Sequence, residues 1–285
     1  MVRRVEARDV YRHAPKREPA PLSRRALFGL GLSARARADI DYDGVTARVR
    51  AAWEEAPEPL LRALEPTALA AVELAGVTAG ERVLDAGAGD GNVALACAGR
   101  GAQVDACDLA AAMVARGRAR TGASVCWRQA DVQALPYADA SFDAVISTFG
   151  AALAPRARRT ARELARVLRP GGRLVLAAWV PRGLPGRLDE HVAYPDGVRP
   201  PSDWADEETA RRRFEPVLDG LERRARTVAL AFPSADAMFD ALAGPFGLDD
   251  ARRPAFDRLL AAQNNRPPMA EVDARYVLYA GRRRA

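Results

Sequence analysis

A run of alternating glycines between an apolar segment and a helix-like segment carries the clearest chemical signal in the sequence. The run reads Val83-Leu84-Asp85-Ala86-Gly87-Ala88-Gly89-Asp90-Gly91-Asn92. Glycine permits a tight strand-to-helix turn and lets a ligand touch the backbone, because no Cβ stands in the way. The free N–H groups at the start of the following helix can bind a carboxylate or a phosphate. The pattern predicts a nucleotide-like ligand at this turn; the alternative is a tight turn that binds nothing.

An acidic residue ends the next apolar segment. Asp108 lies 17 residues after Gly91, where a carboxylate can accept hydrogen bonds from both hydroxyls of a ribose. Nicotinamide enzymes use an acidic residue in the same way, so Asp108 does not distinguish one cofactor from another. It can also cap a helix that begins near Leu109, and the two roles are compatible.

The segment 129–145 carries a third signal, and this one points to a family. It reads Gln129-Ala130-Asp131-Val132-Gln133-Ala134-Leu135-Pro136-Tyr137-Ala138-Asp139-Ala140-Ser141-Phe142-Asp143-Ala144-Val145. The segment resembles the class I S-adenosylmethionine-dependent methyltransferases, most closely the branch with quinone-biosynthesis and small-molecule enzymes. In that branch an Asp after the third strand contacts the adenine amino group, and Asp131 matches it. The stretch 168–174 resembles the family's helix stop before its fifth strand, and the resemblance covers about residues 42–180.

The resemblance implies S-adenosyl-L-methionine as the cofactor and requires no metal. Asp85 is expected to orient the methionine ammonium, and the segment 147–150 is expected to face the methyl group. Met113 matches a position that packs on adenine, although a lone Met at helical spacing also suits a core. Ala110 departs from the family, which often carries Ser there, and this costs a cap or a ribose contact. The predicted cofactor contacts are Asp85, Gly87, Ala88, Gly89, Gly91, Asp108, Leu109, Met113, Asp131, Val132 and Ser147.

Strands and helices alternate through the middle of the chain, which predicts an α/β fold with a mostly parallel sheet covered on both faces. The resemblance makes this a Rossmann-like, seven-stranded sheet that closes with a C-terminal antiparallel hairpin. Asp43 is expected to cap a helix with Val45, Val49 and Trp53 on its apolar side. The predicted strands are 82–85, 103–107, 124–129, 142–147, 173–179, 227–232 and 276–280. The predicted helices include 60–74 with an interruption near Pro66, 92–98, 110–120, 156–168, 207–214 and 253–262.

The first 41 residues are predicted to be a basic, mobile arm ahead of a methyltransferase domain over 42–285. Residues 1–37 hold ten basic and three acidic side chains, a net charge of +7 in a chain whose total is +6. The body is close to neutral, and we therefore predict no nucleic-acid partner. The arm contains Arg24-Arg25 before a short apolar run, as a twin-arginine export signal does, but a basic arm with a short helix is favoured.

The composition otherwise suits a cytoplasmic protein with no membrane span. Three cysteines, Cys97, Cys107 and Cys126, form no CxxC pair and are interpreted as buried and reduced.

The expected acceptor is a small, moderately apolar molecule that receives the methyl group on O, N or C. The chain lacks the Asn/Asp-Pro-Pro-aromatic motif and the Pro-Cys nucleophile with which related families methylate nucleobases. The apolar stretch 149–153 follows the fourth strand instead, with Trp204, Phe239 and Leu242 as candidate neighbours or as core residues. A segment over about 181–220 is expected to cover the acceptor, and His191 within it is the candidate general base.

Two other functions remain open at this stage. A nicotinamide-dependent oxidoreductase shares the glycine turn and Asp108 but leaves Asp131 and the Leu-Pro-Tyr turn unexplained. A protein that binds the cofactor without catalysis is compatible with the sequence, because methyl transfer requires few reacting side chains.

Overall fold

The computed structural model describes residues 40–188, 192 and 194–285, and the elements below belong to the compact unit Asp41–Ala285. The arm prediction, like His191, falls outside the described residues. The strands are β1 (Arg82–Ala86), β2 (Gln103–Asp108), β3 (Val125–Gln129), β4 (Phe142–Thr148), β5 (Leu168–Trp179), β6 (Leu218–Phe232) and β7 (Ala270–Arg283). The α-helices are α1 (Tyr42–Glu54), α2 (Glu58–Ala63), α3 (Glu65–Ala75), α4 (Asn92–Ala98), α5 (Ala111–Thr121), α6 (Ala157–Val167), α7 (Leu184–Leu188), α8 (Glu207–Phe214), α9 (Ala235–Phe246) and α10 (Arg253–Ala261).

The seven strands form one sheet in the order β3-β2-β1-β4-β5-β7-β6. Strands β1 to β5 are parallel, whereas β7 runs antiparallel to both β5 and β6. The chain order reverses next to β1, between β1 and β4. Open α/β sheets bind ligands outside the carboxyl ends of their strands at such a point. The predicted Rossmann-like α/β sheet with a C-terminal hairpin is confirmed.

Alternate residues of the central strands belong to two separate hydrophobic cores, one on each face of the sheet. Val83 and Ile146 belong to the core shared with α3, α4 and α5. Leu84 and Val145, the neighbouring residues in the chain, belong to the core shared with α6 and α8. Because successive side chains of a strand point to opposite faces, an uninterrupted apolar run is what a doubly covered strand requires.

The helix ends follow local signals, with one correction. Gly76 ends α3 in the left-handed conformation, and the Ser234 side chain caps α9 by accepting the Ala237 N–H. The predicted cap Asp43 is wrong: Asp41 caps α1 by accepting the Gly44 N–H at 2.7 Å, and Asp43 lies in the first turn. Asp41 and Asp43 lie within three residues of each other, and both residue types can cap a helix. Which of them does so depends on where the chain enters the helix.

Several predicted boundaries also change. The helical stretch 60–74, predicted with an interruption near Pro66, forms two helices, α2 and α3, that meet at Leu64 and together run from Glu58 to Ala75. Strand β5 begins at Leu168 rather than at 173, with an irregularity opposite β4, and β6 begins at Leu218 rather than at 227. Long strands of exposed polar residues lack the apolar alternation that reveals a strand in the sequence.

The cysteine interpretation holds for two of three residues. Cys97 and Cys107 are buried, but Cys126 is exposed on β3, an edge strand of the sheet. Within the described residues, no helix combines the length and apolarity needed to cross a bilayer.

Candidate active site

A cleft of about 850 Å³ opens at the carboxyl ends of the parallel strands. It is bordered by the glycine turn after β1, by the ends of β2 and β3, by the turn after β4, and by α1 and α2. Of the eleven predicted cofactor contacts, seven line this cleft: Gly87, Ala88, Gly89, Asp108, Leu109, Asp131 and Val132. The other four, Asp85, Gly91, Met113 and Ser147, do not line it.

The three glycines of the turn have different tasks. All three have positive φ, at 70° for Gly87, 56° for Gly89 and 96° for Gly91. A Cβ on Gly87 would lie 2.8 Å from the Gly150 Cα, and one on Gly91 would lie 2.8 Å from the Trp127 ring. A Cβ on Gly89 would meet nothing closer than Leu61, at 3.8 Å. Close packing therefore requires two of the glycines, and Gly89 is the one that leaves free space beside the backbone.

Asp108 joins the glycine turn to the end of β2. Its Oδ2 accepts the Gly89 N–H at 2.8 Å, and its Oδ1 accepts the Ala110 N–H at 2.9 Å. Burial raises the pKa of Asp108 to about 6, against the effect of these hydrogen bonds. Each carboxylate oxygen has a second lone pair, so Asp108 can hold the turn and still accept a hydroxyl from a ligand.

Asp131 and Gln133 form the border of the cleft after β3. The Asp131 carboxylate accepts the Gln133 backbone N–H at 2.8 Å and both oxygens lie within 3.1 Å of the Gln133 amide nitrogen. Gln133 also donates to Thr46 of α1 at 3.3 Å and accepts the Arg156 N–H at 3.0 Å. Gln133 thus connects three chain segments beside the position predicted for adenine, a role that was not predicted from the sequence.

Asp85 lies beneath the turn and faces α4. It is 1% exposed, its Oδ2 accepts the Ala94 N–H at 2.9 Å, and its buried Oδ1 has no hydrogen-bond partner. Burial raises the pKa of Asp85 to about 8, and the neighbouring carboxylates of Asp108 and Asp90 act in the same direction. Its predicted contact with the methionine ammonium stays a prediction.

Ser147 and Met113 are buried in the protein. The Ser147 hydroxyl donates to the Ala86 carbonyl at 2.5 Å and accepts the Ala151 N–H at 2.9 Å, which joins the ends of β1 and β4. Met113 is fully buried with Leu61 and Ala110 in a small core beneath α1 and α2. Met113 therefore packs as a core residue, which was the alternative to a contact with adenine. It does not line the cleft.

Phe149 borders the cleft where β4 ends. It has a φ of 69°, a conformation that is strained for a residue with a bulky side chain. Its ring stacks on Trp179 with the centroids 3.9 Å apart and meets Tyr276 edge-on at 5.9 Å. This aromatic packing holds the strained residue in place at the predicted methyl-transfer position.

Helices α1 and α2 cover the cleft, and Glu54 fixes the end of α1. Its two carboxylate oxygens accept the N–H groups of Ala111 and Ala112 at 2.8 and 2.7 Å. These are free donors of α5, whose own cap position, Ala110, has no side-chain hydrogen bond. Glu54 thus replaces the Ser cap that the family often has, from a position 56 residues earlier in the chain that no local pattern connects to α5.

Asp90 carries a charge at the tip of the glycine turn and is neutralised by α5. It is 4% exposed and forms an ion pair with Arg120. Arg120 also donates to the Asn92 side chain at 3.1 Å. The turn is therefore held from two sides, by Asp108 and by Arg120.

The aromatic and apolar neighbours predicted for the acceptor lie in the cores. Trp204 is in the core of α6 and α8, and Phe239 and Leu242 are in the core on the other face. The three residues do not line the cleft, so this prediction is wrong and the core alternative is right. His191 and His13, the two histidines of the chain, lie outside the described residues. No cluster of three or more potential metal ligands is present among those described.

Sequence comparisons show that the middle of the chain is similar to a known family. Residues 84–176, about a third of the chain, match the family model described as "Methyltransferase domain". An uncharacterized protein of Mycobacterium tuberculosis is 45% identical over 134 residues, which are 46% of this chain and 48% of that protein. A demethylmenaquinone methyltransferase of Beutenbergia cavernae is 42% identical over 108 residues, 38% of this chain and 45% of that enzyme. The chain thus matches about half the length of these relatives.

A solved structure extends the similarity to most of the fold. The YcgJ protein of Bacillus subtilis superposes with a TM-score of 0.56 at 21% identity, covering 77% of this chain and 99% of that one. At this identity the superposition establishes the fold, which surrounds the segment matched by the family model. Residues 84–176 thus match a methyltransferase-domain model, and the superposition shows a shared fold over most of the chain.

Proposed function

We propose that the protein transfers the methyl group of S-adenosylmethionine to a small, moderately apolar acceptor by in-line displacement. One observation carries the proposal: Gly89, Asp108 and Asp131, from the ends of β1, β2 and β3, line the same cleft. Their order along the sheet matches the order of methionine, ribose and adenine in the cofactor. The match of residues 84–176 to the methyltransferase-domain model supports the same conclusion.

The residues present fit this cofactor. Gly89 leaves space for a ligand against the backbone, and Asp108 and Asp131 offer acceptor oxygens to hydroxyl and amino groups. The hairpin also favours this cofactor over a nicotinamide, since the typical dinucleotide-binding order 3-2-1-4-5-6 lacks an antiparallel β7 between β5 and β6.

When bound, S-adenosylmethionine supplies a methyl group that its sulfonium already activates. The work left to the chain is to orient the two reactants and to exclude water. The glycine turn, fixed by Asp108 and Arg120, provides a rigid support for the cofactor. Phe149, which is 5% exposed, closes the end of the cleft at β4 with an apolar surface. A phenol or thiol acceptor needs a base in addition, and His191 remains our candidate for that role.

The acceptor end of the cleft supports an acceptor of apolar character. The lining after β4 consists of Phe149, Gly150, Leu153, Ala154 and Pro155. One relative is named for demethylmenaquinone, a molecule that is itself largely apolar. We also propose that the segment 181–220 covers the acceptor, because its turn Pro201–Ala205 contacts the turn Gly150–Leu153 beside the cleft.

Calorimetry tests the cofactor and an assay tests the reaction. We expect S-adenosylmethionine and S-adenosylhomocysteine to bind the full chain and NADH to show no heat of binding. A methyl-transfer assay over phenols, quinols and amines should then identify a reactive acceptor class. Binding of NADH in place of S-adenosylmethionine would refute the proposal. Cofactor binding with no transfer to any acceptor would favour the protein that binds without catalysis.

A further inference from the structure

Arg213, near the end of α8, has a buried guanidinium group with an unused donor. Its side chain is only 8% exposed, its Nη2 donates to Asp203 at 2.7 Å, and its Cζ lies 4.4 Å from the centre of the Trp204 ring. Its Nη1 is buried and has no hydrogen-bond acceptor. A buried donor without a partner is unfavourable, so this position favours a further acceptor.

Two exposed arginines flank this buried one. Arg158, in the first turn of α6, and Arg199, just before the turn Pro201–Ala205, make no hydrogen bond or ion pair with other described residues. Burial is the main reason that the pKa of Arg213 is lowered, and the positive charges of Arg199 and Arg158 contribute. Asp203 balances one of the three guanidinium groups, and the cluster keeps an excess of positive charge. Such a cluster favours an oxyanion, which guanidinium groups bind through paired N–H donors.

The cluster lies beside the acceptor end of the cleft. Pro155 lines the cleft, and Arg158 follows it by three residues, a span of at most about 11 Å. On the other side, Trp204 packs in the same core as Ala151 and Ala152, which belong to the turn after β4. A molecule that occupies the cleft at β4 can therefore extend past Pro155 toward the arginines.

We propose that Arg158, Arg199 and Arg213 bind an oxyanion group, a carboxylate, sulfate or phosphate, carried by the methyl acceptor. This inference rests on the proposed function and narrows its substrate class to molecules with an apolar body and an acidic group. Arg213 is fixed by Asp203 and Trp204 and provides the permanent positive charge. Arg158 and Arg199 are accessible and provide donors that the ligand reaches first.

Calorimetric titration tests the site with two probes, inorganic phosphate and phenyl phosphate, at constant ionic strength. The full chain is used, saturated with S-adenosylhomocysteine. The Arg158→Ala/Arg199→Ala double variant removes the two exposed arginines and leaves the buried Arg213 in place, so folding is preserved. We expect phenyl phosphate to bind at least ten times more weakly to the double variant. The control is Arg48→Ala, because Arg48 is exposed on α1, has no partner among the described residues and does not line the cleft.

The probes separate the two sources of an oxyanion. An acceptor site predicts that phenyl phosphate binds more tightly than inorganic phosphate, and that Leu153→Ser in the cleft wall weakens only phenyl phosphate. Equal affinity for both probes would mean a free-anion site and would overturn the assignment to the acceptor. Equal affinity of the wild type and the double variant, or no binding at all, would overturn the site itself. A separate titration with S-adenosylhomocysteine alone tests the proposed function, which fails if that cofactor does not bind. The two phosphate probes are also titrated into the chain without S-adenosylhomocysteine, and this result decides the anion site independently.

Discussion

The carboxylate of Asp108 accepts the backbone N–H of Gly89 at 2.8 Å, so the residue predicted to bind ribose also determines the shape of the glycine turn. A second hydrogen bond, from Ala110, holds the start of the segment that leads into α5. The turn, the end of β2 and the beginning of α5 therefore share one carboxylate. A change at Asp108 is expected to affect ligand binding both directly and through the turn.

Replacement of Asp108 by Ala should weaken binding of S-adenosylhomocysteine by about 1–3 kcal/mol, which is about 5- to 150-fold, because charge-assisted hydrogen bonds are lost. Calorimetry on the purified variant measures the change. Asp105→Asn, on the same strand, is the control, since Asp105 does not line the cleft. An affinity equal to that of the wild type would contradict the assigned role of Asp108.

The two glycines at the cleft should respond differently to Ala. Gly87→Ala places a Cβ 2.8 Å from the Gly150 backbone, which cannot move aside as a flexible side chain can, so we expect a large loss of unfolding free energy. Gly89→Ala has space in the protein and should reduce stability by only about 1–2 kcal/mol, because of its positive φ. The same change should weaken cofactor binding, since the Cβ enters the cleft. Urea unfolding and calorimetry of both variants give the comparison, and equal stability of the two variants would be inconsistent with it.

Glu54→Ala should destabilise the fold by about 0.5–2 kcal/mol, the usual effect of removing a helix N-cap, here the cap of α5. Adding Ala110→Ser to this variant should restore part of the loss, because the hydroxyl lies at the cap position of the same helix. Urea unfolding of the two variants and the wild type measures both steps. If Glu54→Ala leaves the unfolding free energy unchanged, Glu54 does not cap α5.

The stability of the protein should depend on pH through Asp85. Its pKa is raised from 3.8 to about 8 in the folded protein, so between these values the folded state binds more protons than the unfolded state. The contribution of Asp85 to stability therefore falls as the pH rises from about 4 to about 8. Asp85→Asn removes this titration. The unfolding free energy of the variant, measured relative to that of the wild type, should therefore increase as the pH rises, by more than about 1.4 kcal/mol, the equivalent of one pKa unit. Urea unfolding at pH 5 and pH 8.5 measures the difference, and a gain that does not change with pH would refute the prediction.

The sequence alone determined the fold class, because its signals are local. Apolar runs such as 83–84 and 145–146 reveal strands covered on both faces, and the glycines that follow β1 mark the turn where a ligand can approach. Asp108 was found because it ends a predicted strand, and Asp131 was found through the family resemblance of 129–145; both line the cleft. The helices 92–98 and 207–214 also have the predicted bounds.

Only the tertiary structure decided which residues meet across the chain. Glu54 caps α5, Gln133 reaches Thr46 and Arg156, and Arg213 lies near Arg158, all between segments that are far apart in sequence. It also assigned Met113 and Ser147 to the interior and separated Gly91 from the cleft. Periodicity and spacing describe the conformation of a single segment, whereas these contacts depend on how the segments pack against one another, which no local pattern records.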